Sequence, residues 1–259
     1  MSKPTNNNLT YSIVFATLVI AGSIVFLGLQ MGGDKGGELS QEDLGAAMEK
    51  YAQEQQKNQQ QAAADKRKAQ QEMAKKNLKK RTKEDYVRGN VDAPVTIIEY
   101  SDFECPYCKK FHNTMKQVAE EYSEEVNWVY RHFPLGFHDP IASKEAEAAE
   151  CVGDIAGNDK FWEYTDLVYE TTKSNKGLAV DQLPVLAEQV GVDVGAFNKC
   201  FESGKFTAKV KKDMAEGAAA GVTGTPGSFI VNNKSGDISF VPGALPFAQI
   251  KAQIDQMLK

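Results

Sequence analysis

Residues 95–108 read VTIIEYSDFECPYC, and two features of this stretch set the reading of the whole chain. The first is a short β-branched run, 95–100, entered through Ala93-Pro94 and bounded by turn residues; such a run reads as a buried strand. The second is a cysteine pair, Cys105 and Cys108, that follows at once and opens a segment with helical spacing. Phe111, Met115, Val118 and Tyr122 recur at steps of three or four. The CxxC pattern alone also serves zinc, but a zinc site needs a second ligand pair at similar spacing. Cys151 and Cys200 stand apart from one another, and the three histidines form no metal-type pair. A strand feeding a CxxC at the mouth of a helix points to thiol chemistry instead.

Helix geometry says why. The unpaired N–H groups and the dipole at a helix N-terminus favour an anion. Cys105 sits just before the first turn, with Pro106 suited to the first helical position, so its thiolate is stabilised. Cys108, one turn inward, is expected to be the more buried thiol. A substrate thiolate attacks the exposed sulfur of the pair, and a second one resolves the mixed disulfide. Glu99, alone in an apolar strand, is either half-exposed or buried with a raised pKa. Glu104 reads as solvated, His112 as a partly exposed surface histidine, and His132 and His138 as having no catalytic role.

Downstream, 126–133 (VNWVYRHF) alternates like a strand until Pro134 stops it, and a helix-rich region covers 139–220. Phe161, Trp162 and Tyr164 within it read as packing residues. A turn cluster at 221–226 precedes a strand at 228–231, a hairpin turn at 232–236, a second strand at 238–241 and an amphipathic helix at 247–258. No Gly-rich phosphate loop ending in Lys-Ser/Thr appears, so no nucleotide and no other cofactor is implied.

Upstream, 11–29 (YSIVFATLVIAGSIVFLGL) is uncharged, and at about 1.5 Å per residue it is long enough to span a hydrocarbon core. The residues after it offer no A-x-A-like cleavage site and no lipobox cysteine, which favours an uncleaved anchor over a cleaved signal peptide. Lys3 in the 1–10 head sets that head in the cytoplasm and sends the rest out, where disulfides persist. A spacer, 30–85, begins Gly-rich and turns into a proline-free run of Gln, Lys, Glu and Ala that favours helix. Leu44, Met48 and Tyr51 start an a/d seam that Gln55 and Asn58 break. A solvated helix is expected; an oligomerising stalk (38–85) and a basic face on anionic lipid stay open. The chain of 259 residues carries a net charge of −5, which argues against a general nucleic-acid binder.

The stretches IIEYSDFECPYCKKFH (97–112) and GVTGTPGSFIV (221–231) together resemble the DsbA family in its helical-insert form, from about residue 86 onward. The resemblance implies an α/β protein with a thioredoxin-like fold and an inserted helical domain, here preceded by a single transmembrane helix and a helical spacer. It implies that Cys105 is the nucleophile and Cys108 the resolving cysteine. Pro226 falls at a cis-proline facing them, and Thr225 pairs its backbone with a bound peptide strand. Glu99 becomes a buried acid assisting proton transfer. Relatives often carry a cysteine pair near Cys151 and Cys200, so a structural disulfide is expected there, with buried free thiols or a second redox pair as alternatives. Two departures matter: Tyr107 stands where the strongest oxidants carry histidine, and Gly227 where a bulkier residue is common.

Three functions follow. The first is an oxidase of reduced exported proteins, reoxidised by a quinone-linked membrane partner of the DsbB or VKOR kind. The second is an isomerase or reductase oligomerised through the spacer. The third is a metal- or peptide-binding module without turnover.

Overall fold

The computed structural model describes residues 41–259. The anchor at 11–29, the head before it and the Gly-rich joint after it lie outside the described residues. Among the described residues no helix is long and apolar enough to cross a membrane.

Two compact units divide the chain, Met1–Gln61 and Ala62–Lys259. Helix α1 (Gln41–Asn77) is rich in Ala and Gln, lacks proline, and ends on Lys75 and Lys76, which complement its dipole. In the first unit, Met48 and Tyr51 of this helix are exposed.

Within the second unit the end of α1 is not the solvated spacer that composition suggests. Ala74 is fully buried, in one cluster with Ile98, Tyr100 and Phe229, and Leu78 packs against that cluster. Gln70 Nε2 donates to Gly221 O at 2.8 Å and Asn77 Nδ2 to Ala219 O at 2.7 Å. Gly221 has φ +101°, and an added Cβ would lie 3.3 Å from Met73 Cε. The following segment is pinned by Arg131, which donates to Lys79 O, Lys80 O and both oxygens of Asp85. The domain therefore starts well before residue 86. Residues spaced four apart, Gln70, Ala74 and Leu78, form the docked face, a signal too sparse to stand out in a Lys/Gln-rich helix.

Five strands form one sheet in the order β1-β3-β2-β4-β5: β1 (Val87–Arg88), β2 (Val95–Ser101), β3 (Val126–His132), β4 (Gly227–Asn232) and β5 (Ile238–Pro242). β2 and β3 run parallel, joined through α2 (Pro106–Glu121); the other pairs are antiparallel. The two-residue β1, too short to show any periodicity, was not foreseen. The other four strands and the helices at 106–121 and 247–257 fall within a residue or two of their expected bounds, whereas α1 stops at Asn77, well short of residue 85.

The register places Ile97 beside Trp128 and Ile230, and Glu99 beside Tyr130 and Ser228. Since alternate residues share a face, Val95, Ile97, Glu99 and Ser101 all point to one side of the sheet. That side is covered by Phe111, Met115 and Val118 of α2, by Ile250 and Ile254 of α8 (Phe247–Met257), and by the helical insertion. Each such fully buried apolar side chain stabilises the fold by about 1.5–3 kcal/mol. The insertion holds α3 (Ile141–Ala156), α4 (Asn158–Thr171), a 3-10 turn (Val180–Gln182), α5 (Leu183–Gln189), α6 (Val194–Glu202) and α7 (Thr207–Ala219). Phe161, Trp162 and Tyr164 are buried in its core. Cys151 of α3 and Cys200 of α6 form a disulfide, with Cα atoms 5.9 Å apart.

Candidate redox site

β2 delivers the chain to the edge of the core at Ser101, and Asp102 shapes the turn that follows. Its Oδ1 accepts the Glu104 N–H at 2.8 Å, its Oδ2 accepts Leu135 N at 2.8 Å and lies 2.7 Å from His138 Nδ1, and its carbonyl accepts Cys105 N. Cys105 is thereby set as the N-cap of α2 in extended backbone (φ −82°, ψ 120°), with Pro106 at the first helical position.

Both thiols are free, and they are unlike. Cys105 keeps 4% of its surface exposed and Cys108 none, so Cys105 is less open than a CxxC at a helix mouth suggests. The Cys105 pKa is lowered to about 6. The Cys108 thiol donating to its sulfur is the largest cause; the Thr225 hydroxyl and the N–H groups of Cys108 and Tyr107 add to it, against burial. Burial pushes the Cys108 thiol well up, reinforced by Cys105 and by the charge of Glu99. The Thr225–Pro226 peptide bond is cis, and Thr225 O lies 3.5 Å from Cys105 Sγ. Tyr107 projects outward, 66% exposed. A Cβ on Gly227 would meet Val222 Cγ1 at 2.9 Å, so Val222 fills the place a bulkier residue would take.

Glu99 takes the buried alternative. Its Oε1 accepts from Ser101 Oγ at 2.6 Å and its Oε2 from Trp128 Nε1 at 3.0 Å. Burial raises its pKa to about 7, the two hydrogen bonds opposing. Ser101 Oγ also lies 3.0 Å from Tyr169 OH, which pairs with Tyr130 OH at 2.7 Å, and it works against the upward shift of the Cys108 thiol. Sequence reasoning missed Ser101, although its position two residues after Glu99 already places it on the same face.

Two expectations are corrected. Glu104 is fully buried, not solvated: its carboxylate accepts from Thr172 Oγ1 at 2.6 Å and Gly177 N at 2.7 Å, while its carbonyl accepts Asn175 N. Opposite it stands buried Glu145, whose pKa burial and the neighbouring Glu104 raise to about 10. Two buried carboxyls that meet must share a proton, and here Glu145 carries it. Burial works against ionisation of Glu104, but Glu145, Thr172 and Gly177 outweigh it, and the pKa falls. His112 is likewise buried, with Nε2 2.6 Å from Asp166 Oδ1, and burial lowers its pKa. Asp166 also takes a bidentate pair from Arg88. The partners of both residues lie in the insertion, far along the chain. His132 and His138 are buried in carboxylate pairs with Glu150 and Asp102. Among the described residues no group of three or more His, Cys, Asp or Glu side chains could hold a metal ion.

The thioredoxin family matches residues 81–256. Among solved structures, Pseudomonas aeruginosa DsbA2 is similar with a TM-score of 0.59 and 26% identity, covering 69% of this chain and 97% of its own. BdbD from Bacillus subtilis, in its oxidised form, gives 0.61 and 22%, covering 70% and 97%. BcfH of Salmonella enterica Typhimurium gives 0.65 at 18% identity, covering 96% of this chain and 99% of that one. Among curated proteins, a Na(+)/H(+) antiporter NhaA 1 of Salinispora arenicola is 34% identical over 151 residues, 58% of this chain and 22% of its own length. The NhaA antiporter of Herminiimonas arsenicoxydans is 32% identical over 146 residues, again 22% of its length. The chain thus spans about a fifth of the curated relatives it matches.

Proposed function

We propose a direction for the exchange from one premise: the chain belongs to the thioredoxin family and is a DsbA-like thiol–disulfide oxidoreductase. The direction is oxidation of reduced exported proteins. The observation that carries it is the unequal pair of thiols. Holding Cys105 as a thiolate with a pKa of about 6 stabilises the reduced protein, and a disulfide whose reduced form is stabilised is a strong oxidant.

In that reaction a substrate thiolate attacks Cys105 Sγ, a bond forms between substrate and Cys105, and the Cys105–Cys108 bond breaks. Cys108 leaves and takes a proton, which its high pKa demands; Glu99 supplies it through the Ser101 hydroxyl. A second substrate thiolate then attacks the substrate sulfur and expels Cys105 as a thiolate. The substrate gains a disulfide, and two electrons pass to the pair. Thr225 and Pro226 present the backbone against which the substrate strand lies. A quinone-linked membrane protein of the DsbB or VKOR kind takes the electrons away. The 11–29 segment anchors the enzyme in the same membrane, with the catalytic domain on the extracytoplasmic side.

Equilibration of the full chain with glutathione tests the direction. An oxidase gives a potential well above the roughly −270 mV of a thioredoxin reductant, and thiol trapping in cells finds the pair oxidised. A potential near that value, with a reduced pair in cells, gives the reductase reading instead, and a reduced pair at a potential near the roughly −180 mV of protein disulfide isomerase gives the isomerase reading. Exposed Met48 and Tyr51, three residues apart on α1, favour that second reading if they join copies of the chain; a sedimentation measurement showing a monomer removes it.

A further inference from the structure

A cavity of about 440 Å³ opens between the docked half of α1 and the cis-proline loop. Lys66, Arg67 and Gln70 line one side, Thr225 and Pro226 another, and Pro242 of β5 a third. β5 is an edge of the sheet, where backbone groups accept an added strand. The same Thr225 whose carbonyl touches Cys105 Sγ lines the cavity, so the groove adjoins the nucleophile.

The wall from α1 is held in place, since Gln70 and Asn77 bond the backbone at Gly221 and Ala219, just before the loop. It is also charged in one sense only. Lys66 and Arg67 line the cavity and no carboxylate does, in a chain whose net charge is −5. Neither cation has an ion-pair partner among the described residues.

We infer that α1 forms one wall of the substrate groove and that Lys66 and Arg67 make the enzyme favour extended segments with an acidic side chain beside the reacting cysteine. The inference rests on the exchange activity proposed above and adds the choice of substrate. An extended peptide over Thr225 and Pro226, between β5 and α1, sets alternate side chains toward the helix. A carboxylate there meets two cations beside a partly enclosed surface, while a lysine meets repulsion.

The test uses the oxidised full chain and pairs of single-cysteine peptides, identical except for Asp or Lys flanking the cysteine. The rate of mixed-disulfide formation is divided by each peptide's rate with uncharged hydroxyethyl disulfide, which removes the effect of the flanking charge on the peptide thiol. At low salt the acidic peptide is expected to react roughly tenfold faster. The preference is retained in K66R/R67K, falls toward one in K66Q/R67Q and in high salt, and inverts in K66E/R67E. Inversion cannot arise from misfolding. A parent ratio near one, or a preference that survives K66E/R67E, overturns the inference. Dithiothreitol separates the two failures: a chain that it reduces but that ignores peptide charge has lost only the groove, whereas a chain inert to it has lost the redox reading as well.

Discussion

Two buried glutamates flank the turn into α2, five positions apart in sequence, and their pKa values are pushed in opposite directions. Glu99, under the cysteine pair, meets two neutral donors in Ser101 and Trp128, and burial wins: its pKa rises to about 7. Glu104, on the far side of Asp102 and Phe103, meets Thr172, Gly177 and a protonated Glu145, and there the donors win. Burial alone therefore does not set the charge of an acid; the count and kind of donors does. The difference divides labour. An acid that titrates near neutrality can pass a proton to Cys108, whereas an acid locked as a carboxylate can only hold structure. Glu104 does so for 172–177, where Ser174, Asn175 and Lys176 all adopt positive φ (63°, 55° and 70°), a run that non-glycine residues enter only when held.

The comparison breaks most visibly at Glu145. Its folded pKa of about 10 lies above the ordinary 4.5, so its proton supports the fold fully below 4.5 and that support is lost as pH rises through 10. In that window the folded state holds one proton more than the unfolded chain, and stability falls by about 1.4 kcal/mol per pH unit at most. Glu145→Gln keeps a donor facing Glu104 without needing the proton. Denaturant titrations from pH 5 to 9 are expected to show parent and variant close at pH 5, with the variant increasingly more stable above it. Equal slopes would mean that the two carboxyls do not share a proton.

A smaller effect is expected at the locked acid itself. Glu104→Ala leaves the Thr172 hydroxyl and the Gly177 N–H without their acceptor and removes the hold on the positive-φ run. A loss of about 2–4 kcal/mol follows, which for a domain of this size lowers the melting temperature by roughly 4–16 °C. Limited proteolysis is expected to find new cleavage within 172–177. A variant that melts with the parent would leave Glu104 no structural role.

What could be read in the sequence divides along the same line. Glu99, Cys105, Cys108 and Pro226 sit in stretches where strand alternation, helix spacing and the Thr-Pro turn are local signals, and the fold follows from the order of such stretches. Glu104 and His112 are set by Glu145, Thr172 and Asp166, 41 to 68 positions away, and no local pattern announces them. The docking of α1 escaped for another reason. Its contacts are Gln70 and Asn77 amides on backbone carbonyls and one buried alanine, in a helix whose composition argues for solvent.

The smallest and most specific effect is at Glu99. If it passes a proton to the departing Cys108, it can do so only while protonated, below about pH 7. Glu99→Gln keeps an acceptor for Trp128 Nε1 and turns its amide N–H2 toward the Ser101 hydroxyl, which can accept, but removes the acidic proton. Stopped-flow reduction of the oxidised chain by dithiothreitol gives a rate for each protein at each pH, and their ratio cancels the titration of dithiothreitol. Parent is expected to exceed variant by roughly tenfold below pH 7, with the ratio closing toward one as pH rises through 7. Stability changes in the matching direction: a pKa raised from 4.5 to about 7 gives support that is full below 4.5 and gone above 7, so the variant loses a pH slope only in that interval. A purely structural Glu99 would lower the rate by the same factor at every pH. The contrast with Glu104 would then be one of charge alone, and proton delivery to Cys108 would have to come from solvent.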